Sequence, residues 1–90
     1  MDKTFFGQIT VGTTATLIRK ANPHRKEILL TNSSSTTLYV GTNDQVTIDN
    51  GAMPGYEVLS QGSFYGDYKG DIYGIIDSGE IKVTYWEEEE

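Results

Sequence analysis

The sequence has no cysteine, only two prolines, one histidine and one tryptophan among its 90 residues. Without cysteine, neither a disulfide framework nor a thiolate metal site can stabilise the fold. A single domain of this size buries only about 60–65% of the surface of its unfolded chain, so its stability is small. We therefore expect association with copies of itself or with a larger assembly to stabilise it.

Long apolar runs and clusters of basic residues are also missing. No segment approaches the ~20 apolar residues that span a bilayer, and the N-terminal stretch lacks the apolar centre of a signal peptide. Seven Lys and Arg residues face thirteen Asp and Glu residues, which gives a net charge of −6. We therefore expect synthesis in the cytoplasm and neither a membrane nor a nucleic-acid partner. The acidic run Glu87–Glu90 is predicted to be a solvated, frayed tail.

What the sequence does contain is short apolar–polar alternation, broken by Gly, Ser, Thr and Asn. Strands are predicted at 7–11, 15–19, 27–32, 37–41, 45–48, 56–60, 71–77 and 80–86, with 63–68 as a further short strand or an ordered loop. Seven or eight short strands predict an all-β fold, a single antiparallel β-sandwich over residues 1–90. Alternation leaves a jelly-roll or an immunoglobulin-like strand order open. Residues 1–6 are predicted to form a flexible N-terminal arm.

The same alternation predicts which side chains face the core. The predicted core consists of Leu17, Ile28, Leu30, Leu38, Val40, Val58, Ile72, Ile76, Ile81, Val83 and Tyr85. In the last strand, Lys82, Thr84 and Trp86 are predicted to face the other way.

Residues with catalytic or metal-binding chemistry are present but do not form a recognisable motif. His24 lies in a turn, without a nucleophile elbow elsewhere in the chain, and Ser33–Ser35 have the composition of a loop. The oxygen donors Asn43, Asp44, Asp49 and Asn50 lack the spacing of a calcium loop, and the carboxylates Asp67, Asp71 and Asp77 are scattered among glycines. We therefore predict that the protein is not an enzyme and holds no cofactor or metal.

Aromatic residues are the better candidates for binding. Tyr65 and Tyr68 belong to the glycine-punctuated stretch "FYGDYKGDIYG", and such side chains offer a large contact area with few rotatable bonds. Phe5 and Phe6 precede the first predicted strand, and Trp86 is predicted to face away from the core. These five residues are the candidate partner contacts. The tyrosines could equally close one end of the sandwich or stack on sugars.

The order of the segments "VGTTATLIRKANPHRKEILLTN", "LYVGTNDQVT", "NGAMPGYEVLS" and "GDIYGIIDSGEIKVTYWE" resembles that of small virion proteins of tailed bacteriophages. The shared pattern is a threonine-rich first hairpin, an A-N-P-x-R turn, a strand ending in Asn, a Gly-containing turn and a last alternating strand after an S-G turn. The tyrosine content and the Glu tail depart from that pattern.

The resemblance implies a non-enzymatic β-sandwich of the virion. It implies a capsid decoration or cement protein, or a head-fibre or tail-associated part, often a homotrimer, with the major capsid protein or another virion protein as partner. The alternative is a carbohydrate-binding module for host adhesion, or a tail- or baseplate-associated module, with Tyr65, Tyr68 and Trp86 stacking on surface polysaccharide.

Overall fold

The computed structural model of the chain describes residues 3–48 and 51–90, which form two packed antiparallel sheets. The strands are β1 (Lys3–Val11), β2 (Thr16–Arg19), β3 (Arg25–Asn32), β4 (Leu38–Gly41), β5 (Tyr56–Val58), β6 (Ser63–Gly66), β7 (Ile72–Ile75) and β8 (Ile81–Glu89). Sheet I has the order β1-β8-β3-β6 and sheet II the order β2-β7-β4-β5. The predicted all-β antiparallel sandwich is confirmed. The described residues include no helix long and apolar enough to cross a bilayer.

The strand order is that of a jelly roll. β4 pairs with β5, β3 with β6, β2 with β7 and β1 with β8, as in one long hairpin that has been rolled up. The additional pairs β3·β8 and β4·β7 complete the two sheets. An immunoglobulin-like order would pair several consecutive strands, whereas here only β4 and β5 are consecutive neighbours. The expected first hairpin is therefore wrong, because β1 and β2 belong to different sheets.

The core lies between the two sheets and contains most of the predicted residues. Its buried members are Val11, Ile18, Ile28, Leu30, Leu38, Val40, Val58, Ile72, Ile76, Ile81 and Val83, with Ile9, Phe64 and Tyr85 packed against them. Leu17 was wrongly predicted, since it is 42% exposed and Ile18 is buried in its place. The register of β2 against β7 shifts between Leu17 and Arg19, and this irregularity offsets the alternation.

The prediction of a strand at 45–48 is wrong. Only an isolated bridge is present there, between Thr47 and Pro54. Val46 is nevertheless buried, so the apolar residue of the segment reaches the interior without a strand ladder.

The prediction of an N-terminal arm over residues 1–6 is wrong for its described part. β1 starts at Lys3, which lies opposite Glu89, and its pairing with β8 continues without interruption to Val11 opposite Ile81. Phe5 and Phe6 point to opposite sides of this strand, as alternation requires. The Arg19 guanidinium lies over the Phe5 ring, with its Cζ atom 5.8 Å from the ring centroid. Phe6 stacks on Trp86. Phe5 thus has a neighbour on sheet II and Phe6 has one on sheet I.

The prediction of a frayed acidic tail is also wrong for most of its length. β8 continues to Glu89, and alternation turns the Glu87 side chain inward, where it is 0% exposed. Arg19 Nε donates a hydrogen bond to Glu87 Oε1 at 2.7 Å, and Asn22 Nδ2 donates to Oε2 at 2.7 Å. Arg25 Nη2 lies 3.5 Å from Oε1. We call Arg19, Asn22, Arg25 and Glu87 the polar clasp.

The polar clasp explains the A-N-P-x-R turn. The buried Arg25 guanidinium donates to the carbonyls of Tyr68 at 2.6 Å, Gly70 at 2.9 Å and Lys20 at 2.8 Å. Burial raises the pKa of Glu87, but the hydrogen bonds from Arg19 and Asn22 and the charges of the two arginines outweigh it, so that the pKa lies below its ordinary value. The clasp therefore fastens the end of β8 to two loops.

Asn32, at the other end of β3, organises the serine loop. Its buried Nδ2 donates to the carbonyls of Thr36 at 2.7 Å and Val58 at 2.9 Å. Its Oδ1 accepts hydrogen bonds from the Ser34 amide at 3.1 Å and from the Ser34 hydroxyl at 2.7 Å. The Ser/Thr cluster is thus bound into a turn, as its composition indicates.

Candidate interaction surface

The outward face of sheet I carries a continuous row of large apolar side chains. Phe6 on β1 lies opposite Trp86 on β8, and Leu29 on β3 lies opposite both Trp86 and Tyr65 on β6. We call these four residues the aromatic row. Phe6 and Tyr65 are each 67% exposed and Trp86 is 45% exposed. The row crosses all four strands of the sheet and lies outside the core.

The exposed rings of the aromatic row are held in place by specific contacts. The Phe6 and Trp86 rings are stacked, with centroids 5.3 Å apart and planes inclined by 14°. Trp86 Nε1 donates a hydrogen bond to Glu88 Oε2 at 3.1 Å, and the Tyr65 hydroxyl donates to the Glu27 carboxylate. Because the rings are fixed before binding, a partner need not order them.

Polar side chains flank the aromatic row on one side. The register places Gln8, Thr84, Thr31 and Ser63 side by side across the four strands. Gln8 Nε2 donates to Thr84 Oγ1 at 3.3 Å, and the Thr31 and Ser63 hydroxyls are 3.5 Å apart. We call these residues the hydroxyl row. They offer neutral donors and acceptors beside the apolar surface.

Carboxylates flank the aromatic row on the other side. Glu27 on β3 lies opposite Glu88 on β8. The hydrogen bond to Glu27 raises the pKa of Tyr65, and so do partial burial and the negative charges of Glu27, Glu88 and Asp67. This edge of the surface is therefore negative.

Two shallow depressions are lined by both Leu29 and Trp86 of the aromatic row. The larger, of about 440 Å³, lies toward the hydroxyl row and is lined by Phe6, Gln8, Thr31 and Thr84 together with Leu29, Tyr85 and Trp86. The smaller, of about 200 Å³, lies toward the carboxylates and is lined by Glu27, Leu29, Tyr65, Trp86 and Glu88. Trp86 and Leu29 belong to both depressions and so occupy the centre of the surface.

The structure brings together three of the five predicted contact residues. Phe6, Tyr65 and Trp86 are in the aromatic row, whereas Phe5 lies on the opposite side of β1 near Arg19. Tyr68 is in the segment between β6 and β7 and lines a separate cavity with Phe64 and Tyr56.

Leu29, Glu27 and Glu88 belong to the surface but do not stand out in the sequence. Alternation does turn Leu29 outward, because Ile28 and Leu30 on either side of it are buried. The strand register, which alternation does not supply, is what places it between Trp86 and Tyr65.

Two of the residues with catalytic chemistry, His24 and Asp71, take part in hydrogen bonds of the turn between β2 and β3, whereas Asp67 lines a depression with Tyr65. His24 is exposed in its turn, where its amide donates to Asn22 Oδ1 at 3.0 Å. Asp71 Oδ1 accepts a hydrogen bond from the Ala21 amide at 2.6 Å. Residues 3–48 and 51–90 contain no cluster of three His, Cys, Asp or Glu side chains suited to a metal ion. Asp49 and Asn50 of the oxygen-rich loop lie outside the described residues.

No family model, curated protein or solved structure matches the chain. Inference about its function therefore rests on the surface of sheet I and on the sequence.

Proposed function

We propose that the chain is a non-enzymatic structural protein of a bacteriophage virion, a capsid decoration or cement protein that docks through the aromatic row. The observation that carries this proposal is one uninterrupted line across sheet I, formed by the exposed Phe6, Trp86 and Tyr65 and the half-buried Leu29. A contiguous apolar strip on the outside of a folded domain is typical of a surface that another molecule covers.

The composition of the aromatic row favours a protein partner. Tryptophan and tyrosine dominate the binding energy of protein–protein contacts, and they do so where they are surrounded by groups that exclude water. The hydroxyl row and the two carboxylates provide such a polar rim around Trp86. The jelly roll is an architecture of viral capsid domains and of lectins, and the turn pattern of the sequence resembles that of small phage virion proteins.

Self-association is part of the proposal, with a homotrimer on the capsid as the assembled form. A 90-residue domain has a small core, and neighbours at high local concentration stabilise such a domain by mass action. β1 and β6 are the edge strands of sheet I. Their outer backbone groups offer a neighbour further hydrogen bonds beside the aromatic row.

The test is the solution mass by light scattering, followed by co-sedimentation with shells of the candidate major capsid protein. We expect about 30 kDa, three copies of the 10.0 kDa chain, and sedimentation with the shells. Trp86→Ser is expected to weaken sedimentation with the shells and to leave the solution mass unchanged. Tyr56→Ser, at an exposed tyrosine of sheet II, is the control and should change neither. A monomer that ignores the shells would contradict the proposal.

The larger depression favours a second candidate function, carbohydrate binding for host adhesion. There the exposed Trp86 ring adjoins the side chains of Gln8, Thr31 and Thr84, a combination of stacking surface and hydrogen-bonding groups that suits a sugar. Titration of tryptophan fluorescence with host surface polysaccharide distinguishes the two functions. A saturable change supports adhesion, and an unchanged spectrum supports protein docking.

A further inference from the structure

The smaller depression of sheet I combines two aromatic rings with two carboxylates. Tyr65 and Trp86 stand on either side of Leu29, and Glu27 and Glu88 lie next to them on the same face. We call it the acidic–aromatic pocket. It has the two features that organic cations prefer, an aromatic surface and nearby negative charge.

The carboxylates of the pocket have no cationic partner within the described residues. Both ion pairs found in residues 3–48 and 51–90 involve Glu87, on the inner side of β8. Lys26 is the basic residue that lines a neighbouring depression with Glu27, and it forms no ion pair in the described part of the chain. Neither carboxylate of the pocket is therefore engaged in an ion pair among the described residues.

Each carboxylate is oriented by one of the rings. The Tyr65 hydroxyl donates to Glu27 and Trp86 Nε1 donates to Glu88. Each hydrogen bond leaves further acceptor positions on the carboxylate, because an ionised carboxylate accepts about four hydrogen bonds. The pocket thus presents fixed acceptors beside ring surfaces.

We propose that the acidic–aromatic pocket binds an arginine side chain of the virion protein on which the chain docks. This inference rests on the proposed function and adds the chemistry of the partner. Arginine fits better than lysine because its planar guanidinium stacks on aromatic rings and donates two hydrogen bonds to one carboxylate. Charge complementarity favours a basic partner over a second copy, since the chain itself carries −6.

Trp86 makes the proposal directly measurable, because it is the only tryptophan of the chain and lines the pocket. Its fluorescence would be titrated on the isolated protein with N-acetyl-arginine methylamide, and with the corresponding citrulline derivative as a neutral probe of the same shape. We expect a saturable change with the arginine probe, in the millimolar range, that weakens as salt is raised. The citrulline probe is expected to give none.

Variants assign the response to the pocket. Glu27→Gln and Glu88→Gln are each expected to weaken arginine binding by about 2–5-fold, the effect of one partly exposed charge contact. Glu57→Gln makes the same charge change at an exposed position of sheet II and should leave binding unchanged. Thermal unfolding verifies that all three variants are folded.

The outcomes separate this inference from the proposed function. Equal responses to arginine and citrulline, or an arginine response that both pocket variants retain in full, would overturn the pocket even if the protein sediments with capsid shells. An arginine response that the variants weaken, on a protein that ignores the shells, would keep the ligand chemistry of the pocket and overturn its virion partner. The inference as a whole requires both the arginine response and weaker shell binding by Glu27→Gln and Glu88→Gln.

Discussion

Trp86 and Glu87 are neighbours in β8, yet they occupy opposite environments. The Trp86 ring lies on the outward face of sheet I, 45% exposed, whereas the Glu87 carboxylate lies on the inward face with no exposed surface. This is the reverse of the usual distribution between core and surface, because the apolar residue is exposed and the charged residue is buried. The buried charge requires polar partners, and the exposed ring leaves apolar surface that a contact with another group would cover.

The compensation differs between the two faces. Glu87 is compensated within the chain, by Arg19, Asn22 and Arg25, so the inner face of β8 contributes to folding. Trp86 is stacked on Phe6 but remains exposed, so its further compensation would come from another molecule. The comparison therefore separates stability, which depends on the polar clasp, from the proposed docking, which would depend on the aromatic row.

The largest expected effect is that of Glu87→Ala. Removing one partner of a buried ion pair leaves the other charge buried without compensation, which costs about 3–5 kcal/mol of unfolding free energy. Denaturant unfolding measures the loss. Glu88→Ala, one residue away on the outward face, is the control and should change stability by less than about 0.5 kcal/mol. Equal losses in the two variants would contradict the separation of the faces.

A smaller loss is expected for Asn32→Ala, which removes the buried amide at the other end of β3. The variant leaves the buried Val58 carbonyl and the Ser34 amide without their side-chain partner, and an unsatisfied buried group costs about 1–3 kcal/mol. Thermal unfolding is the measurement. An unchanged midpoint would show that the serine loop forms without Asn32.

The polar clasp should also make stability depend on pH in the acid range. The pKa of Glu87 is lowered on folding from an ordinary value of 4.5. Its contribution is therefore complete above that value and is lost as the pH falls through the lower pKa of the folded state. The difference in unfolding free energy between the wild type and Glu87→Gln should be constant from about pH 5.5 to 8 and narrow below pH 4.5. A difference that widens in acid would be evidence against this ionised clasp.

A smaller effect on stability than that of Asn32→Ala is expected for Phe6→Ser in the aromatic row. It removes a ring that is 67% exposed and stacked on Trp86, so the unfolding free energy should fall by no more than about 1 kcal/mol. Its association with capsid shells, measured by sedimentation, should nevertheless decrease. A large loss of stability with unchanged association would reverse the roles assigned to the two faces.

Part of this arrangement can be predicted from the sequence alone. Alternation predicts Ile81 and Val83 inward and Trp86 outward because side chains of a strand have a period of two. It does not predict where β8 ends, since a run of four Glu residues has the composition of a solvated tail. The Glu87 carboxylate is buried because Arg19, Asn22 and Arg25 donate hydrogen bonds to it. These three residues lie more than sixty residues earlier in the chain.

The candidate site shows the same limit. The exposed aromatic residues Phe6, Tyr65 and Trp86 can be selected from the sequence, but they come from three different strands. Their union in one row depends on which strands are neighbours and on the register between them, and neither follows from alternation. The jelly-roll order places β8 between β1 and β3, and this order brings the three residues into line.

The most direct test of the central claim, that the outward face of β8 serves docking and its inward face serves folding, is the sedimentation of Trp86→Ser with capsid shells measured beside that of the wild type. We predict that the wild type sediments with the shells and that Trp86→Ser stays in solution, with an unfolding midpoint within a few degrees of the wild type. Equal sedimentation of the two proteins would contradict the claim.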